Sequence, residues 1–367
     1  MTKKTRFLIL VLCVVLFFII APYIVIYSLG YKIDFEQKKI VITGGIYVRA
    51  LPQGVDVIID SKINNTTSLL YPTVFVQNLL PKQHSILIKK DGYYNYKKNL
   101  EVKEKEVIKL EQVILFKEKI LFDILTDKTN SPFSKKDPEQ LFIIENGDLY
   151  KNNSEKLEVI LKNILSFEVS DNNIIWLGLD GFLYSSSQDG KITNKLSQTP
   201  LKITIKSNYK FTIVPQNIFL LENNNLLLFN QKTKIFETFY GLVKDLKISP
   251  DGQKILYYND NEILYSYLNS DNPEKIFLNR FSEKIGDCFW LNDNYLIFDL
   301  GNKIIISETD NRDSINTITL SQNLSLADKI LFNQQDKKLY ILTQNPDSKA
   351  KLTTGQSNIL VSERLIP

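Results

Sequence analysis

Ile255-Leu256-Tyr257-Tyr258, a turn at Asn261 and a second strand opening at Leu264-Tyr265 make up the pattern that decides how most of this chain folds. The same order recurs at Leu141 (LFII), Ile174 (IIWL), Ile218 (IFLL) and Tyr295 (YLIF), and the first strand alone returns at Leu339 (LYIL). Successive starts lie 33, 44, 37, 40 and 44 residues apart. The turns recur with the strands: Asn146-Gly147, Asp180-Gly181, Asn224-Asn225, Asn261 and Asn302, each followed by a second apolar strand. Turn residues bounding short β-branched and aromatic runs, with no 3.6-residue period between them, predict sheets rather than helices.

Several strands per repeat of about forty residues is the pattern of a β-propeller, whose thin blades are stable only when stacked. Six aligned strands predict about six blades over 118–367, with five to seven open and closure by either a strand around Ile120 to Leu125 or the last strand, Ile359-Leu360-Val361. Thr129 to Pro138 reads as a loop in the first blade, and Gln344 to Ser357 as a polar stretch in the last. Ser249-Pro250-Asp251-Gly252, between Ile248 and Gln253-Lys254-Ile255, is similar to the turn motif of TolB-type and WD40-like propellers.

Ahead of the repeats, 44–115 predicts a small antiparallel β-sandwich. Ile46-Tyr47-Val48, Val55 to Ile59, Val74-Phe75-Val76, Ser85 to Ile88 and Val107 to Leu115 are separated by Pro, Gly, Asn and Asp. Gly44-Gly45-Ile46, then Pro52-Gln53-Gly54-Val55, then Asp60-Ser61-Lys62, with His84 and Gly92-Tyr93 further on, resembles the PEGA domain. Gln53, Val55 and Ser61 depart from that pattern. Pro52 and Gly54 are expected to set a turn, and Asp60 to Lys62 to close a hairpin. The chain's single histidine, His84, alternates with Ile86 and Ile88 and is expected to share their face.

Phe7 to Leu29 carries no charge and is almost wholly apolar. Its 23 positions make a helix of roughly 35 Å, enough to cross a hydrocarbon core of about 30 Å. The span, including Phe7, Leu12, Phe17, Pro22 and Tyr27, has no convincing signal-peptidase site and predicts an uncleaved single-pass anchor kinked at Pro22. Lys3, Lys4 and Arg6 assign residues 1–6 to the cytoplasm and the rest to the outer side.

With 45 basic and 41 acidic residues interspersed, the net charge of +4 argues against a nucleic-acid surface. Cys13, in the span, and Cys288 are not expected to pair, and Cys288 beside Phe289-Trp290 reads as a buried structural thiol. There is no phosphate loop, Gly-x-Ser-x-Gly or Cys-x-x-Cys motif and no histidine pair. Asn259-Asp260-Asn261-Glu262 and Asp310-Asn311-Arg312-Asp313 are oxygen-rich, but Leu264 and Arg312 break the alternation a calcium loop needs. Neither cofactor nor metal is expected, and no catalytic residue is assigned.

The expectation is a non-enzymatic, membrane-anchored, extracytoplasmic binding or scaffold protein of a prokaryotic cell envelope, the propeller meeting a protein or glycan partner. The alternative is an envelope polysaccharide hydrolase with paired carboxylates in the propeller channel, for which Asp245, Asp251, Asp287 and Asp299 are available.

Overall fold

The computed structural model describes residues 3–35, 38–68, 70–125, 133, 141–152, 157–170, 172–204, 206–320, 327–343 and 358–366. The loop read at 129–138, apart from Phe133, and the polar stretch 344–357 lie outside them. The chain divides into two compact units: Met1–Leu121 with Asp310–Ser321 and Arg364–Pro367, and Phe122–Thr309 with Gln322–Glu363.

The first unit opens with one helix, Lys3–Ser28, with Pro22 inside it and no side chain buried. It is long and apolar enough to cross a membrane, as some signal sequences also are. A hairpin of Tyr31–Asp34 and Lys39–Ile42 follows. Gly44–Leu51 is the middle strand of a three-stranded sheet, antiparallel to Thr73–Leu79 and parallel to Val107–Ile114. That parallel pair departs from the all-antiparallel expectation. More than fifty residues separate the two strands, ample for a crossover that a tight hairpin could not make.

A second sheet runs Ile63–Thr66, Asp56–Ile59, Gln83–Lys89 and Tyr96–Glu101. Ile46, Val48 and Val76 of the first sheet and Val57, Ile86 and Ile88 of the second share one core. Alternation along Gln83–Lys89 produces this: His84, Ile86 and Ile88 are buried while Gln83, Ser85 and Lys89 are exposed.

Asp310–Ser321 belongs to this unit, although the sequence reading ran it on with the repeats. The cause lies at Tyr96–Glu101, an edge strand whose open backbone groups need partners. Asn99 N–H donates to Asp313 Oδ2 at 2.8 Å, and Lys97 exchanges both backbone bonds with the Asn316 amide at 3.2 and 2.9 Å. Buried Lys98 donates to the carbonyl oxygens of Asp310, Arg312 and Ser314 at 2.7–2.8 Å.

The second unit is a succession of antiparallel sheets. The first is Phe142–Glu145, Asp148–Asn152 and Leu157–Leu161; the second starts at Ile164–Ser170, the third at Tyr209–Val214 and the fourth at Asp245–Ile248. The fifth is built on Ile285–Asn292, Tyr295–Leu300 and Lys303–Glu308. In the sixth, Ala327–Asn333, Lys338–Thr343 and Asn358–Ser362 are joined by Phe122–Ile124 from the other end of the unit, with Asp123 opposite Val361.

Cores form between neighbouring sheets. Leu149 meets Ile174 and Trp176, Leu177 meets Phe211 and Leu220, and Phe219 and Leu228 meet Ile255 and Tyr257. Where neighbours cover both faces of a strand alternation disappears, as in Lys254–Tyr258, all five of whose residues are buried, whereas Lys338–Thr343 in the sixth sheet still alternates.

Candidate functional site

Within the second unit, four loops at the ends of neighbouring sheets enclose a cleft of about 390 Å³. One is the turn holding Asn224, between Asn217–Glu222 and Asn225–Asn230. Another is the Gly241–Lys244 connection, and a third the Asn259–Asn261 hairpin. The fourth begins at Arg280, the last residue of Ile276–Arg280.

Backbone bonds stitch these loops together. Val243 N–H donates to Asn224 O at 2.7 Å, Lys244 N–H to Tyr258 O at 2.7 Å, and Phe281 N–H to Asn261 O at 2.8 Å. Asn259 shapes its own turn: its Oδ1 accepts the Asn261 and Glu262 N–H groups at 2.8 and 2.7 Å. The Asn259 side-chain oxygen is thus committed to turn formation, and no group of three His, Cys, Asp or Glu placed to hold a metal occurs among the described residues.

Leu242 is the cleft's apolar element. Its backbone is left-handed (φ 58°), its neighbour Val243 is fully buried, and its own side chain is 73% exposed. A branched apolar residue held in that conformation and turned to water is costly on both counts. The cleft's charges are partly neutralised. Glu262 accepts from Tyr240 Oη at 3.0 Å and Asn259 Nδ2 at 3.1 Å and pairs with Arg280 at 3.5 Å. Burial, reinforced by Glu262, pushes the Tyr240 phenol up. Asp260 lies 3.0 Å from Lys284 and 4.0 Å from Lys244, whose Nζ donates to the Ile285 and Gly286 carbonyls. The Arg280 side chain stays largely exposed, so the cleft offers a cationic donor and asparagine amides around one apolar knob.

The first strands of these sheets carry a charge ladder. Lys210 pairs with Asp245 at 3.2 Å, Asp245 with Lys247 at 3.9 Å, and Lys247 donates to Cys288 O at 2.8 Å while stacking on Phe289. Burial depresses the Lys247 ammonium despite Asp245, and burial raises the Glu168 carboxyl despite Lys210. Asp299 accepts the Asp287 N–H and packs so closely on Gly286 that any Cβ there would collide with it. Burial raises the Asp299 carboxyl. The carboxylates of Asp245 and Asp299 therefore serve as ion-pair and backbone partners.

The remaining sequence-predicted residues hold their own local structure. Ser249 Oγ donates to Asp251 Oδ1 at 2.6 Å and accepts the Lys254 N–H at 2.9 Å; Pro250 and Gly252 (φ 70°) complete the turn. Burial opposes ionisation of Asp251, but the bonds from Ser249 and Gln253 N–H hold its carboxyl below the usual range. Cys288 is fully buried, and burial pushes its thiol up.

In the first unit Asp60 and Ser61 are both left-handed (φ 52° and 56°), and Lys62 N–H closes the turn onto Ile59 O at 3.1 Å. His84 is buried, with Nδ1 2.7 Å from Asp60 Oδ2 and Nε2 2.8 Å from Leu80 O. Pro52 follows a cis peptide bond, Gly54 has φ 71°, Gly92 O accepts the Glu118 N–H, and Tyr93 packs on the core. Phe7, Leu12, Phe17 and Tyr27 are exposed on the helix.

Sequence reasoning passed over Leu242, Lys244 and Arg280. The available signal was a lone leucine between Gly241 and a buried valine, which reads as the start of a strand.

No family model and no curated protein matches this chain. Among solved structures it is similar to YCF48 from Cyanidioschyzon merolae, at 11% identity and a TM-score of 0.39 over 85% of this chain and 97% of that one. It is also similar to YCF48 bound to D1 peptide, at 13% identity and 0.37 over 87% and 96%, and to a chain of a mitotic checkpoint complex, at 12% and 0.37 over 64% and 88%. Likenesses this remote carry no argument about function.

Proposed function

We propose that this chain is a membrane-anchored, non-catalytic binding platform of a prokaryotic cell envelope, facing outward from a single-pass N-terminal helix. In this reading the first unit is a PEGA-like sandwich acting as a spacer, and the second is a six-bladed β-propeller closed by Phe122–Ile124 against Asn358–Ser362. Support for the ring comes from the covered faces of successive sheets and from the sixth sheet, which takes strands from both ends of the unit.

The observation that carries the binding role is the four-loop cleft with exposed Leu242 amid Arg280 and asparagine amides. Loops on a stiff frame suit recognition, and this lining suits an acidic or amide-rich protein segment with one apolar side chain to set against Leu242. Against the hydrolase alternative, three of its four carboxylates, Asp245, Asp251 and Asp299, serve ion-pair, turn and backbone roles.

The test is photo-crosslinking in the native host, with a photoreactive amino acid at position 242 and a second strain carrying Arg280→Glu as well. A defined protein adduct that weakens about tenfold with Arg280→Glu supports the reading. Recovery of glycan fragments alone, or adducts indifferent to Arg280→Glu, would overturn it. For orientation, protease added to intact cells or protoplasts is expected to digest both units.

A further inference from the structure

The hairpin Tyr31–Asp34/Lys39–Ile42 has its faces the wrong way round for a water-facing element. Residues directly opposite on antiparallel strands share a face. Tyr31 faces Ile42 and Ile33 faces Ile40, while Lys32 faces Val41 and Asp34 faces Lys39. The face holding Val41 and Asp34 is the inward one, both side chains being buried. The other turns outward, leaving Tyr31, Ile33 and Ile40 at 37, 48 and 64% exposure, with Phe35 just beyond still more exposed.

Both ends of the hairpin are pinned to the end of the N-terminal helix. Two residues separate Ser28 from Tyr31, and Thr43 returns to donate to Gly30 O through its N–H at 2.7 Å and its hydroxyl at 2.8 Å. Asn78, which accepts from the Thr43 hydroxyl, also donates to Tyr27 Oη at 3.3 Å. Four-residue strands reach only about 13 Å from that point. The aromatic side chains Tyr23, Tyr27 and Tyr31 are exposed along the same stretch, as expected where a span meets headgroups. Lys32 and Lys39, on the face opposite the apolar one, are nonetheless exposed, as is Lys38 just before the second strand.

We infer that this hairpin is a lipid-binding element, lying in the headgroup region with Tyr31, Ile33 and Ile40 turned toward the acyl chains and its lysines toward anionic headgroups. The inference rests on reading Lys3–Ser28 as a membrane span, since the lipid surface then begins where the helix ends. An amphipathic surface carrying aromatic and aliphatic side chains with flanking lysines is what the interface selects. The element would set the height and tilt of the first unit on the membrane, which a lone helix end leaves free.

The test uses the full chain with Cys13→Ala, so that buried Cys288 is the sole remaining native thiol, reconstituted in vesicles of phosphatidylcholine and phosphatidylglycerol. Single labels are placed through Ile40→Cys on the apolar face, Lys39→Cys on the opposite face and Phe17→Cys mid-helix, and are quenched with spin-labelled lipids. The expected result is strong quenching at Phe17 and, with a shallow quencher, about threefold more quenching at Ile40 than at Lys39. Quenching at Phe17 with Ile40 no different from Lys39 overturns the hairpin proposal and leaves the anchor standing. No quenching at Phe17 overturns both. An Ile40 label shielded from aqueous iodide but untouched by lipid quenchers also overturns it, because a protein surface, such as a second copy, would then cover the face.

Discussion

The Lys98 ammonium donates to the carbonyl oxygen of Arg312 at 2.7 Å across 214 residues of sequence. With the Asp310 and Ser314 carbonyls, all three ammonium hydrogens are taken by one short segment. Arg312 in turn closes a two-pronged pair on Asp310, at 2.9 and 2.6 Å, and reaches Lys109 O at 3.1 Å. The edge strand Tyr96–Glu101 is thus covered by chain from far along the sequence.

Replacing Lys98 with methionine keeps most of the buried volume but removes those donors, leaving three carbonyls short of a partner. The cost is about 3 kcal/mol, because bonds from a charged donor are the strong ones and buried orphans are penalised. Hydrogen exchange at the Lys97 and Asn99 amides, which donate to Asn316 and Asp313, should accelerate about a hundredfold. Unchanged protection would show that the segment is held by other contacts.

Asp60 makes the first unit sensitive to acid. Burial works against its charge, yet the His84 bond and the Ser85 N–H hold its carboxyl below the usual 3.8. The folded state then binds fewer protons than the unfolded one, so this stabilisation is complete above 3.8 and is lost as the pH falls through the lowered folded value. Urea midpoints between pH 5 and pH 2 should fall steeply for the natural chain. Asp60→Asn should be weaker at pH 5 and show a shallower acid slope; a parallel slope would contradict the assignment.

Ser249→Ala should cost about 1–2 kcal/mol, since it removes an acceptor for the buried Lys254 N–H and a donor to Asp251. Denaturant unfolding of the second unit reads this directly. Asp251→Asn, which keeps an acceptor oxygen for Gln253 N–H at 3.0 Å, should cost less than Ser249→Ala.

Val361→Pro strikes the strand that lies between Phe122–Ile124 and Lys338–Thr343. Proline there cannot donate to the ladder and strains its neighbours, for a loss of about 3 kcal/mol. Lost protection should be read by hydrogen exchange in both flanking strands, and confinement to one of them would argue against a shared sheet.

The repeating strands were legible because covering both faces makes them continuous apolar runs, as in Ile255 to Tyr258. Two strands of the small unit's second sheet were not. Ile63–Thr66 is polar and mostly exposed, so it carries no apolar signal. Tyr96–Glu101 does alternate, with Tyr96, Lys98 and Leu100 inward, but the inward lysine hides the period from any reading by polarity. His84 was placed on its face by alternation alone, whereas its partner Asp60 depended on a turn conformation that residue types did not reveal. The cleft was illegible for a related reason. Its lining comes from four loops separated in sequence, and only the register of the sheets brings Asn224, Leu242, Asn261 and Arg280 to one place.

The pairing of Phe122–Ile124 with Asn358–Ser362 has a consequence for biogenesis. At about 5 to 20 residues per second, the 233 residues between Ile124 and Asn358 take roughly 12 to 47 s to synthesise. Throughout that interval Phe122–Ile124 lacks its partner, and the last strands to be made must find the first. Such long-range pairing is slow, and a waiting strand edge invites association with other chains. A ribosome that stops before residue 358 therefore releases a chain whose sixth sheet is open, and quality control would have one exposed edge to recognise.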